Sequence, residues 1–180
     1  MVSEAAYRQL VLEEPDAHWE LDCGRLRQKP GMTAAHNQTI SRLLRQLYGQ
    51  LDERAFDVRS NDGRVRLSPQ HYYIPDVCVV PIEMVLPQLP ARDLEAYGLP
   101  LPLIVEVWSP STGKYDVGSK LVEYQRWGDL EIWLIHPYDR TLIAWVRQPD
   151  GSYVDTLHTE GIVRPEALAG VAIDLSALFA

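Results

Sequence analysis

Apolar residues recur at helical spacing most clearly at Ile40, Leu43, Leu44, Leu47, Tyr48 and Leu51. They fall on one face of a 3.6-residue repeat and predict a long amphipathic helix after the Pro30-Gly31 break. One turn back along that stripe is His36, near the helix start and toward the core side. A histidine there is more often a hydrogen-bonded structural residue than a ligand. Upstream, Ser3 can cap a short helix bearing Tyr7, Leu10 and Val11 that ends before Pro15. Residues 18–29, HWELDCGRLRQK, read as two short strands about an Asp-Cys-Gly turn, with Glu20 inside the hairpin.

Strand patterning dominates the middle. Residues 56–60 and 64–67 flank Asn61-Asp62-Gly63, a strong hairpin signal. HYYIPDVCVVP then predicts a strand interrupted at Pro75-Asp76, where proline implies an edge, a first residue or a bulge. Asp76 also reads as an ordinary turn aspartate before a strand starting at Val77. Residues 83–102, with four prolines, predict a surface excursion with one helical turn in ARDLEAYG. Apolar strands follow at 132–135, 142–146 and 153–157, and the tail at 165–180 predicts a closing apolar segment.

Residues 101–124, LPLIVEVWSPSTGKYDVGSKLVEY, organise the rest. Leu101, Leu103, Ile104, Val105, Val107 and Trp108 form the short apolar run of a central strand, with Glu106 in its middle. An unpaired carboxylate in such an interior costs several kcal/mol, roughly, so Glu106 calls for a partner. After the turn at 109–113, Asp116, Lys120 and Tyr124 recur every four residues on one helix face, with Asp116 at or near the N-cap. The bland alternative is a solvated Asp116–Lys120 pair with Glu106 at an edge beside a loop. Gly128 offers the helix stop.

Length and composition bound the class. At 180 residues, 46% hydrophobic and 23% charged, the chain is expected to be one domain with a sizeable core. No apolar run reaches the roughly 18 residues of a membrane helix, and the acidic amino terminus is unlike a signal peptide, so a cytoplasmic location without membrane contact is expected. Cys23 and Cys78 suggest neither a disulfide framework nor a zinc knuckle. The net charge of −8 argues against broad, sequence-independent nucleic-acid binding. The stretch 24–51, however, holds no acid and carries Arg25, Arg27, Lys29, Arg42 and Arg45, a local basic face suited to phosphate, although surface arginines are more often merely solvated.

Asp76 and Glu106 are the acids hardest to explain structurally. Two carboxylates converging at strand ends suit a hard cation such as Mg²⁺, and a nearby lysine can offset charge developing on a phosphoryl oxygen. In WELDCGRL, AAHNQ, Pro75-Asp76-Val77, IVEVWSPST, Asp116 with Lys120 and Tyr124, EIWLIHP and LAGVAIDLSALF, the chain resembles the Uma-type family of restriction-endonuclease-like proteins within the PD-(D/E)XK nuclease superfamily. The resemblance implies an α+β (α/β) fold, a mixed central sheet flanked by helices, with the site at one end of the central strands. It makes Asp76 and Glu106 ligands of Mg²⁺ or Mn²⁺ and Lys120 the catalytic lysine, displaced to the following helix because Trp108 stands two residues after Glu106. Glu20, His36, Ser109, Asp116 and Tyr124 become supporting residues, DNA the partner and a homodimer the assembly. Two other readings stay open: a catalytically silent binding or regulatory protein on this fold, and a phosphodiesterase acting on RNA or another phosphate ester.

Overall fold

Hydroxyl caps open both long helices. Ser3 Oγ accepts from Ala6 N–H at the start of α1 (Glu4–Glu13), and Thr33 Oγ1 accepts from His36 N–H at the start of α2 (Ala34–Tyr48). The predicted stripe of α2 is the buried one: Ile40, Leu43 and Leu47 enter the core. Fully burying Leu43 and Leu47 contributes ~1.5–3 kcal/mol each, more than helix propensity supplies over the same residues. The computed structural model describes residues 1–111 and 115–180, with backbone alone at 116 and 117. Thr112 and Gly113 of the expected turn and the side chain of Asp116 lie outside the described residues.

The architecture is mixed α+β. A six-stranded sheet has the order β11-β10-β9-β8-β6-β3, built from β3 (Phe56–Ser60), β6 (Val77–Pro81), β8 (Leu103–Val107), β9 (Glu131–His136), β10 (Thr141–Arg147) and β11 (Tyr153–His158). Within it β8 and β9 run parallel and the other pairs antiparallel. Alternation along the central strands serves two cores. Val77, Val79, Leu103, Val105 and Val107 pack with α2 and with Leu168, Val171, Ile173, Leu175 and Leu178 of the closing segment. Cys78, Val80, Ile104 and Ile132 pack on the other face with Tyr124 of α4 (Leu121–Trp127) and with Val65, Leu67 and Tyr73. Those last three belong to a five-stranded sheet of order β2-β1-β5-β4-β7, made of β1 (Trp19–Asp22), β2 (Arg25–Gln28), β4 (Arg64–Ser68), β5 (His71–Tyr73) and β7 (Ala96–Tyr97).

Two expectations about the middle change. Asn61-Asp62-Gly63 does reverse the chain, but its flanking strands do not form a hairpin: β3 pairs with β6, whereas β4 pairs with β5 and β7. Turn residues specify a change of direction; burial decides the partner. Val58 belongs to the α2 core and Val65 and Leu67 to the other, so the turn hands the chain from one sheet to the next. Gly63 permits this because a Cβ there would lie 2.5 Å from Arg59 Cβ. Pro75-Asp76 makes the same switch between β5 and β6. The helical turn expected in ARDLEAYG is instead strand β7, where Tyr97 is buried beside Val65; the helical residues come earlier, in α3 (Ile82–Val85) and the 3₁₀ turn Leu86–Gln88. No helix of the described residues is long and apolar enough to cross a membrane.

Candidate active site

Strand register brings Asp76 and Glu106 to neighbouring positions at one end of adjacent strands. In the antiparallel β6–β8 pair, Val77 lies opposite Val105 and Cys78 opposite Ile104, so one further step places Asp76 opposite Glu106. Asp76 Oδ2 accepts the Val107 amide at 2.7 Å. Thirty residues of sequence separation are thus closed by a ladder that apolar burial holds in place.

Each carboxylate has cationic company. Asp76 Oδ2 also lies 3.0 Å from His36 Nε2, and Oδ1 accepts from Lys29 Nζ at 2.6 Å. His36 is fully buried on the first turn of α2. A carboxylate only accepts, so its proton sits on the facing nitrogen. Burial pushes Asp76 up, but the Lys29 ammonium charge and the hydrogen bonds from His36 and Lys29 outweigh it and hold the carboxyl well below the usual range. Glu106 Oε1 accepts from Lys120 Nζ at 3.1 Å and from the Tyr124 hydroxyl at 2.8 Å. The four-residue spacing of Lys120 and Tyr124 accordingly brings two donors to one oxygen, although Lys120 closes a π turn (Asp116–Lys120) just before α4.

Glu20 completes the network from β1. Its Oε1 lies 2.7 Å from Lys120 Nζ and accepts the Ile74 amide at 2.8 Å, so Lys120, only 1% exposed, bridges Glu20 and Glu106. Pairing of Leu21 with Tyr72 carries β1 to that position. Ser109 is buried just beyond β8, its hydroxyl 3.1 Å from that of Ser111. Trp108, two residues past Glu106, packs on His136 with ring centroids 4.3 Å apart.

The basic residues of the 24–51 stretch have different surroundings. Arg27 is exposed and lies over the Tyr115 ring at 4.2 Å, and Arg25 and Arg45 are exposed. Arg42 reaches the Leu178 carbonyl at 3.4 Å. Lys29 departs furthest from a surface role, being buried against Asp76. Nothing in its local sequence sets it apart from the neighbouring arginines; only the path of the chain before Pro30 does. Two further buried acids escaped sequence reading. Burial raises Asp129 to about 7, against the Leu101 amide it accepts, and also raises Glu131. Both carry no motif.

A cleft of about 170 Å³ opens onto this network, lined by Glu20, Arg27, Lys29, Ser111, Tyr115 and Lys120. Among the described residues, the buried network sets three carboxylates, Glu20, Asp76 and Glu106, against two ammonium groups, Lys29 and Lys120. That excess of hard oxygen charge fits a divalent cation held by one or two carboxylates and water. It does not fit a cage made wholly of protein. The one group of three carboxylate, thiol or imidazole ligands lying within 4.8 Å of one another among the described residues is Asp22, Cys23 and His71, at the hairpin turn.

Comparison with known proteins agrees with this architecture. The crystal structure of a putative nuclease belonging to DUF820 from Anabaena variabilis matches with a TM-score of 0.80 over 99% of this chain and 98% of that one, at 17% identity. That likeness shows the fold. No curated protein sequence matches the chain. The model of the Uma2 family, described as putative restriction endonuclease, matches residues 5–176. With nearly its whole length accounted for in this way, the chain belongs to the Uma2 family.

Proposed function

We propose that this protein is a divalent-metal-dependent endonuclease that hydrolyses DNA phosphodiester bonds. The observation that carries the reading is that Asp76 accepts the Val107 amide, next to Glu106 on β8, while Lys120 lies 3.1 Å from Glu106 and is bridged to Glu20. Asp76 and Glu106 would hold Mg²⁺ or Mn²⁺, which when bound supplies Lewis acidity at the phosphate and lowers the pKa of a water. The chain's own residues do the rest. His36 and the Val107 amide fix the Asp76 carboxylate in place. Tyr124 holds Glu106 Oε1. Lys120, anchored by Glu20, brings a positive charge to the site, where it offsets charge developing on a phosphoryl oxygen or orients the attacking water. Ser109 and Asp116 belong to the segment that presents Lys120. Arg27, exposed at the cleft, is suited to contact the nucleic-acid backbone, with Arg25 and Arg45 as outlying contacts. Cutting both strands of a duplex calls for two such sites, so the proposal carries a homodimer.

One observation favours a second reading, a nuclease-fold protein that binds without cutting. Both oxygens of Asp76 already have donors, one of them an ammonium group. Cleavage of a mixed DNA pool with Mg²⁺ or Mn²⁺, beside Asp76→Ala and Lys120→Ala, separates the two. Metal-dependent cutting lost in both folded variants supports the nuclease; Asp76-dependent metal binding without cutting of any DNA supports the silent protein.

A further inference from the structure

Lys29 has the surroundings of a built-in cation. Its three N–H donors are all used: by Asp76 Oδ1 at 2.6 Å, Asn61 Oδ1 at 3.0 Å and the Ile74 carbonyl at 3.0 Å. Its side chain is 8% exposed. A lysine that merely coated the surface would keep its ammonium group in water. The two oxygens of Asp76 are also unequal. Oδ2 is fastened by the scaffold, through the Val107 amide of β8 and the buried His36 of α2, whereas Oδ1, among the described residues, meets only the flexible arm of Lys29. Oδ1 is therefore the oxygen that can change partners without moving a strand or a helix. The arm has somewhere to go, because Lys29 lines both the 170 Å³ cleft and an adjoining one of about 340 Å³ bounded by His18, Met32 and Asn37.

We infer that Lys29 is the resident counter-cation of the metal site. It occupies Asp76 Oδ1 in the metal-free protein, is displaced from that oxygen when a divalent ion binds, and so sets the metal concentration at which the site loads. This rests on the reading of Asp76 and Glu106 as metal ligands. Lys29 is on this account a positioning residue, distinct in role from Lys120, which is tied to Glu106 and Glu20. A purely structural Lys29 would instead keep its three hydrogen bonds whether or not metal is present.

The test uses the full chain at pH 8 and two readouts that need no activity. Calorimetric titration with Mn²⁺ compares the wild type, Lys29→Gln and Asp76→Asn. Removing the competing ammonium is expected to tighten binding by at least about tenfold, a modest share of the interaction between unit charges about 4 Å apart. The second readout stays with the wild type, so it does not depend on a variant folding. The chain has three lysines, Lys29, Lys114 and Lys120. In lysine-labelled protein the Lys29 Hε–Cε resonance, assigned with Lys29→Arg, is expected to shift on Mg²⁺ addition in step with site occupancy. An unchanged Mn²⁺ affinity in Lys29→Gln and a stationary Lys29 resonance, with binding abolished in Asp76→Asn, overturn the inference and leave the metal site standing. Metal binding that is absent from the wild type and Lys29→Gln alike, or indifferent to Asp76, overturns both.

Discussion

Lys120 reaches Glu106 across 3.1 Å from a turn fourteen residues further along the chain, while Trp108, only two residues past Glu106, stacks on His136 instead. The positive charge beside the carboxylate is thus supplied by the helix and not by the strand. Trp108→Lys should not restore cleavage to Lys120→Ala, since position 108 faces the His136 and Tyr138 rings. The same change should lower stability by ~1–3 kcal/mol through lost ring contact, read from urea melts. Recovered cleavage in the double variant would show that the strand position can serve.

Lys120 itself joins two buried carboxylates, so its loss leaves both short of a partner. Lys120→Met is expected to destabilise the fold by about 3–5 kcal/mol, the usual consequence of breaking a buried pair from one side. Adding Glu20→Gln should recover part of that stability, because one of the two buried charges that faced Lys120 is then gone, without recovering cleavage. Chemical denaturation of the single and double variants measures the coupling.

Asp76 gives the fold an acid-sensitive element. Its folded pKa is depressed, so the stability it contributes is complete above the ordinary carboxylate value of about 3.9 and is lost as pH falls through that value toward the folded one. Urea midpoints taken down from pH 6 should fall in this acid range for the wild type and less steeply for Asp76→Asn. An identical slope in the variant would mean that Asp76 is not ionised in the fold.

Asp129 acts with the opposite sign. Burial lifts it to about 7, so the folded state takes up a proton that the unfolded chain has released, and stability declines as pH rises from about 4 to 7. Asp129→Asn keeps an oxygen for the Leu101 amide while removing the charge. It should stabilise the protein at pH 8 by ~2–4 kcal/mol and have little effect at pH 4. Equal effects at both pH values would sink the assignment.

Gly63→Ala probes the crossing between sheets. The new Cβ would stand 2.5 Å from Arg59 Cβ and 3.2 Å from Cys78 Sγ, and the first of these is no flexible side-chain end. A loss of ~1–3 kcal/mol is expected in thermal or urea unfolding. A neutral substitution would mean that the turn can open without disturbing β3 or β6.

Local signals determined the elements. The Ile40–Leu43–Leu47 stripe, the Ser3 cap and the Gly128 stop act within one or two helical turns, and each appears where the local sequence puts it. The family could be read from the order of short motifs, and the fold class followed from it. Glu106 could be singled out because charge in an apolar run is costly, Asp76 by the Pro-Asp break in its strand, and Lys120 by its four-residue spacing with Asp116 and Tyr124. The short turn between Glu106 and Lys120 already pointed the lysine toward the carboxylate, and the two do meet; what Asp76 touches could not be read this way. Asn61-Asp62-Gly63 promised a hairpin and became a passage between sheets, because strand partners are chosen by the core each apolar face can reach, a sum over the whole molecule. Lys29 looked like one basic residue among five and lies buried on Asp76, a pairing across 47 positions created by the path of the chain through Pro30 and Pro75. Periodicity is a property of neighbours along the chain, whereas register and long-range ion pairing exist only once the sheets have closed.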